Sequence, residues 1–148
     1  PEILILGTMP GVASLNAAEY YAHPKNAFWK IISSIDNKEL PTEYEGKKTM
    51  LYEMKIALWD VCQICIRNGS LDSEIENEIP NTITKFCLSY PTIKAIIFIG
   101  KTAQKIFIKH IGSIENIKTF SAPSTSPAYT LALDKKIESW KNIFNSIR

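Results

Sequence analysis

Ten residues from Tyr20 to Trp29, Tyr-Tyr-Ala-His-Pro-Lys-Asn-Ala-Phe-Trp, hold four aromatic rings, a histidine and an asparagine. A helix beginning at Asn26 accounts for the amide as a cap and for Phe28 and Trp29 as core. Tyr20 and Tyr21 fit a core less well, because each buried hydroxyl then needs a partner. Paired aromatics beside an amide suit a flat heterocycle. Rings cover its face and amides read its edge.

Three other segments carry candidate contacts. Gly7-Thr8-Met9-Pro10-Gly11 is a turn whose backbone can approach a ligand closely, although ordinary loop punctuation looks the same. Gly100-Lys101-Thr102 suggests a phosphate loop, but the position five residues before Gly100 is Ala95, so the motif fails. What survives is a helix start with a lysine, a place for one phosphate or a plain surface turn. Ser121 to Ala128 is a hydroxyl-rich loop stiffened by Pro123 and Pro127. It suits either close contact with a nucleic-acid backbone or a surface turn.

Other chemistries find little support. Only His23 and His110 are available for a catalytic triad or dyad, and His110 falls in a helical pattern as a surface residue. Asp60 and Asp72 read as braces of turns. Cys62, Cys65 and Cys87 are three, which argues against a secreted disulfide framework. The lone Cys62–Cys65 pair lacks the further ligands of a zinc or iron–sulfur site, so small apolar residues at a strand end are the plainer reading.

These segments follow short apolar runs. Glu2–Gly7, Ile56–Val61, Lys94–Gly100 and a weaker Ile117–Ser121 predict four strands, the first three buried on both faces. Helical spacing predicts helices over 26–35, 47–54, 80–88, 102–111 and 134–147, with Pro80 suited to a first turn. The stretch from Ile64 to Ile79 is expected to be a long irregular loop. Alternation of strand and helix predicts an α/β fold with a mainly parallel sheet, which binds ligands beyond the carboxyl ends of its strands. At 148 residues, 45% hydrophobic and 22% charged, the chain is expected to form one domain, 1–148. A net charge of +2 says nothing of nucleic acid by itself; a local basic face would be needed. No apolar run approaches the length of a membrane span, and no signal peptide is expected before the first strand. The chain starts without Met, so a short N-terminal piece is expected to be missing.

Gly7-Thr8-Met9-Pro10-Gly11 followed by Tyr21-Ala22-His23-Pro24-Lys25-Asn26-Ala27-Phe28-Trp29 resembles the first motif of the mismatch-specific branch of the uracil-DNA glycosylase superfamily. Ala122-Pro123-Ser124-Thr125-Ser126-Pro127-Ala128 resembles the second motif of its hypoxanthine-DNA glycosylase branch. Arg67-Asn68-Gly69-Ser70-Leu71-Asp72 is similar to a further segment of that branch. The matches run in order through essentially the whole chain.

The resemblance implies a four-stranded parallel sheet with helices on both faces. It implies a monofunctional glycosylase that flips a deaminated base, hypoxanthine foremost, out of DNA and leaves an abasic site. By the same resemblance Asn26 is the catalytic amide, Tyr21 stacks on the base and Phe28 supports that pocket. Gly7 and Met9 complete the base pocket. Gly11, Lys101, Ser124, Thr125, Ser126 and Pro127 are the expected DNA contacts. Many superfamily members carry Asn or Asp where this chain has Met9. An apolar residue there is similar to the hypoxanthine branch and moves the catalytic part to Asn26. No cofactor or metal is expected, and the partner is DNA, bound by a cytoplasmic monomer without membrane attachment. A uracil or mispaired-thymine glycosylase, or a non-catalytic nucleotide-binding module, is the alternative.

Overall fold

The computed structural model describes residues 1–66 and 75–148. The segment Arg67–Asp72 lies outside the described residues. Four strands, β1 (Ile3–Gly7), β2 (Ile56–Asp60), β5 (Ala95–Ile99) and β6 (Lys118–Ala122), form one sheet in the order β2-β1-β5-β6. Every pair is parallel: Ile3 sits beside Ile56 and Ala95, and Ala95 beside Lys118. This is the parallel sheet expected, from the four runs expected.

Side chains alternate across a strand, and the alternation divides the core in two. Ile3, Ile5, Ile97 and Ile99 point to one face, where they meet α2 (Phe28–Asp36), α3 (Tyr44–Glu53) and α6 (Leu133–Ile147). Leu4, Leu6, Ile96 and Phe98 point to the other, against α4 (Ile83–Ser89) and α5 (Lys101–His110). Both faces are therefore covered, and the central strands β1 and β5 are buried at every residue.

The stretch expected as an irregular loop instead carries β3 (Cys62–Ile66) and β4 (Glu76–Pro80), paired antiparallel. Its irregular register and the polar sequence of β4 hide it from a periodicity argument. Pro80 closes β4 and does not open a helix; α4 begins three residues later. A short helix that was not expected, α1 (Val12–Ala17), follows the first loop and buries none of its residues, so it leaves no apolar pattern to read. Asn81 ties the hairpin to the sheet, its Nδ2 donating to the carbonyls of Asp60 (2.8 Å) and Cys62 (3.1 Å). Among the described residues no helix is long and apolar enough to cross a membrane.

From β1 the chain returns to the sheet on one side, and from β5 on the other. The strand order thus reverses between β1 and β5, and a crevice opens beyond their carboxyl ends.

Candidate active site

That crevice holds a cavity of about 630 Å³, within the range for small-ligand sites. Three of its walls are segments at or beyond the end of a strand. Gly7, Met9 and Gly11 come from the end of β1, Lys101 from the start of α5 after β5, and Ser124 to Pro127 from the loop after β6. Tyr21 and Asn26 complete it from the connection between α1 and α2. Phe28 does not line the cavity. It is fully buried, with its ring centroid 4.3 Å from that of Tyr21, and backs that ring from the core.

The aromatic segment is fastened at several points. Trp29 Nε1 donates to Tyr20 O at 2.9 Å, Ser14 Oγ accepts from Ala22 N at 3.2 Å, and Asn26 N donates to His23 O at 2.9 Å. Tyr21 has φ 53°, in the left-handed region that non-glycine residues seldom occupy. Its hydroxyl lies over Gly7: a Cβ there would stand 2.7 Å from Tyr21 Oη and 2.7 Å from Asp60 Oδ1. Glycine at this position leaves room for both groups.

Asn26 serves the fold with one end of its amide. Its Oδ1 accepts the Phe28 N–H at 3.0 Å, in the first turn of α2. A backbone N–H can only donate, so this bond fixes which end is oxygen. Nδ2 is left as the end that can serve a ligand, and that end can only donate. The residue is half-buried in the cavity wall.

The loop after β6 is held by three of its carbonyls. Trp140 Nε1 donates to Pro123 O at 3.1 Å, Ala27 N to Thr125 O at 3.0 Å, and Lys136 Nζ to Ser126 O at 3.1 Å. Thr125 is buried, a sequence-predicted DNA contact that reaches the cavity from within the wall. Ser124 Oγ accepts from Ser126 N, and Ser126 Oγ from Ala128 N, each at 3.2 Å. Each hydroxyl hydrogen remains for a further acceptor.

One group of the wall escaped the sequence reading. Asp60, read as a turn brace, is buried at the end of β2 and reaches the cavity floor. Its position at a strand's carboxyl end, next to β1, was the available signal. Tyr20 also lines the cavity, and its hydroxyl is pushed up to about 12 by burial, by the Asp60 charge and by Tyr44. At neutral pH it is a proton-bearing donor. Among the described residues no three His, Cys, Asp or Glu side chains come together in a metal-binding group.

The sequence profile of the Uracil DNA glycosylase superfamily matches residues 1–148. A Hypoxanthine DNA glycosylase of Methanosarcina barkeri is 38% identical over 101 residues, which are 68% of this chain and 64% of that protein. The chain thus spans less than two thirds of that relative in the match. A Hypoxanthine DNA glycosylase of Methanosarcina acetivorans is 31% identical over 146 residues, 97% of this chain and 90% of that protein. Among solved structures, an NMR structure of a candidate uracil DNA glycosylase from Methanosarcina acetivorans superposes with a TM-score of 0.80. It is 29% identical, and the match covers 99% of this chain and 90% of that one.

Proposed function

The chain belongs to the uracil DNA glycosylase superfamily, and from that premise we propose that it is a monofunctional DNA glycosylase that extrudes hypoxanthine from DNA and releases it, leaving an abasic site. The observation that carries this reading is the Asn26 amide, held as a donor in the wall of a cavity that Tyr21 also lines. The two relatives named Hypoxanthine DNA glycosylase favour that base over uracil.

Hydrolysis breaks the bond between C1′ and the base nitrogen. The electron pair leaves with the purine, and the sugar gains oxocarbenium character until water adds at C1′ and loses a proton. Asn26 Nδ2 donates to the departing base as charge builds on it. A pre-placed donor in a site that excludes water is effective there, since it needs no reorganisation. The Met9 side chain offers only a weak thioether acceptor and is a poor group to orient the water. The ring of Tyr21, braced by Phe28, covers the base. Ser124, Ser126, Pro127 and Lys101 hold the DNA backbone outside.

Duplexes bearing one hypoxanthine, uracil, xanthine or mispaired thymine, treated with alkali after incubation, test the reading. Strand breaks are expected foremost at hypoxanthine. Breaks foremost at uracil or thymine would move the assignment within the superfamily. None at any base would leave a binding module.

A further inference from the structure

Along α6, residues 136, 140 and 144 share one face and are the buried residues of that helix. Trp140 and Phe144 suit such a stripe. Lys136 is only 4% exposed and carries an ammonium. Buried charges are normally matched by an opposite charge, because removing an ion from water costs several kcal/mol. Lys136 forms no ion pair with any described residue. Its Nζ donates to Ser126 O at 3.1 Å and lies 5.4 Å from the Tyr129 ring centroid. One carbonyl and one ring face are a thin environment for a group with three donors. Burial also holds its pKa below the ordinary lysine value.

What stands in front of this cation is informative. Ser126 and Tyr129 both line the cavity, so the ammonium lies directly behind the wall. The loop carbonyls of Pro123, Thr125 and Ser126 are all engaged from within the protein. The hydroxyls of Ser124 and Ser126 already accept, which leaves them to donate. The loop is therefore an array of donors with a positive charge behind it, and its missing component is an anion.

We propose that Lys136 is the cation by which the Ser124–Pro127 loop attracts a DNA phosphate, the phosphate supplying the negative charge that no described residue places beside it. The proposal rests on the glycosylase reading above, since it takes the ligand to be DNA. Lys136 is a positioning residue: it fixes the loop through Ser126 O and adds charge through it. A lysine serving only as a fastener would explain the bond to Ser126 but not the lack of a carboxylate among the described residues.

Salt dependence separates the two roles. Duplex DNA carrying one hypoxanthine is titrated with wild type, Lys136→Met and Lys136→Arg across a salt series. Each phosphate neutralised contributes about 0.9 to the slope of log affinity against log salt. Lys136→Met should bind more weakly at low salt, with the slope shallower by up to that amount, while Lys136→Arg retains the slope. Melting of Lys136→Met should not fall, because an apolar side chain replaces an unmatched buried charge. Weaker binding by an equal factor at every salt concentration, with the slope unchanged, would overturn the proposal. Lys136→Gln, which can still donate to Ser126 O, carries the same comparison if the methionine variant does not fold. Wild type that shows no salt-dependent duplex binding at all would refute the glycosylase reading itself, a different outcome from an unchanged slope in the variant.

Discussion

Asn26 stands one residue before the N-cap of α2, Ala27, and not at the helix start expected; its Oδ1 still accepts the first N–H of that helix, while the residue lines the cavity, where we propose that its Nδ2 acts. That makes the choice of substitution decisive. Asn26→Asp keeps an oxygen for the Phe28 N–H but loses the donor, so the protein should melt near wild type and release no base. Asn26→Ala loses both, with about 1 kcal/mol of stability gone with the bond to the first N–H of α2. Single-turnover cleavage by a well-folded Asn26→Asp at near wild-type rate would remove the amide from the chemistry. Tyr21 gives a second test. Tyr21→Ala should lose about 1–3 kcal/mol of base binding, the range for a ring stacked on a base. Tyr21→Phe retains the face that Phe28 braces and should retain most turnover; equal damage from both would assign the effect to the hydroxyl. At this scale the sequence drew attention to Tyr21 and Asn26, which the fold places in the cavity wall, because rare residue types cluster there. It concealed Lys136, because a lysine at that position reads as solvent-facing until the loop after β6 folds over it.

Elements were legible where apolar period and length agreed. The sheet strands β1, β2 and β5 each read as a short apolar run, and α2, α5 and α6 each carry a buried stripe. The β3–β4 pair was not legible, since its strands follow no clean alternation. Part of what holds it is charge: Lys109 Nζ at the end of α5 lies 2.8 Å from Glu78 Oε1 of β4, with His110 Nε2 at 3.4 Å. The Lys109 hydrogen bond foremost holds the Glu78 carboxyl down at about 2, against an ordinary 4.5. A carboxyl depressed in this way strengthens the fold above about pH 4.5 and gives that contribution up as pH falls toward about 2. Urea midpoints of wild type and Glu78→Gln should therefore differ at neutral pH and converge across that acid window. A gap that stays constant down to about pH 2 would show that the ion pair with α5 is not its source.

On the scale of the whole molecule, a net charge of +2 leaves little general attraction for DNA, so binding depends on where the cations stand. Lys101 is exposed at the start of α5, on the cavity rim. Lys101→Met should weaken duplex and single-stranded ligands alike and lower the salt slope by about one. Ser126→Ala combined with Pro127→Gly should instead harm duplex cleavage most and spare single strands, where extrusion costs little. Equal losses on both substrates would leave the loop a generic contact. The loop tested there is anchored at three carbonyls to α6 and to the residue that precedes α2, and that anchoring bears on the search for damage. A probe that must fold anew at each site spends time resetting between base pairs. One already fixed to the body of the protein carries no such delay, and its dwell at each site is then governed by how fast the duplex itself opens and closes. Mispaired sites, which open more readily, would detain such a scanner longest.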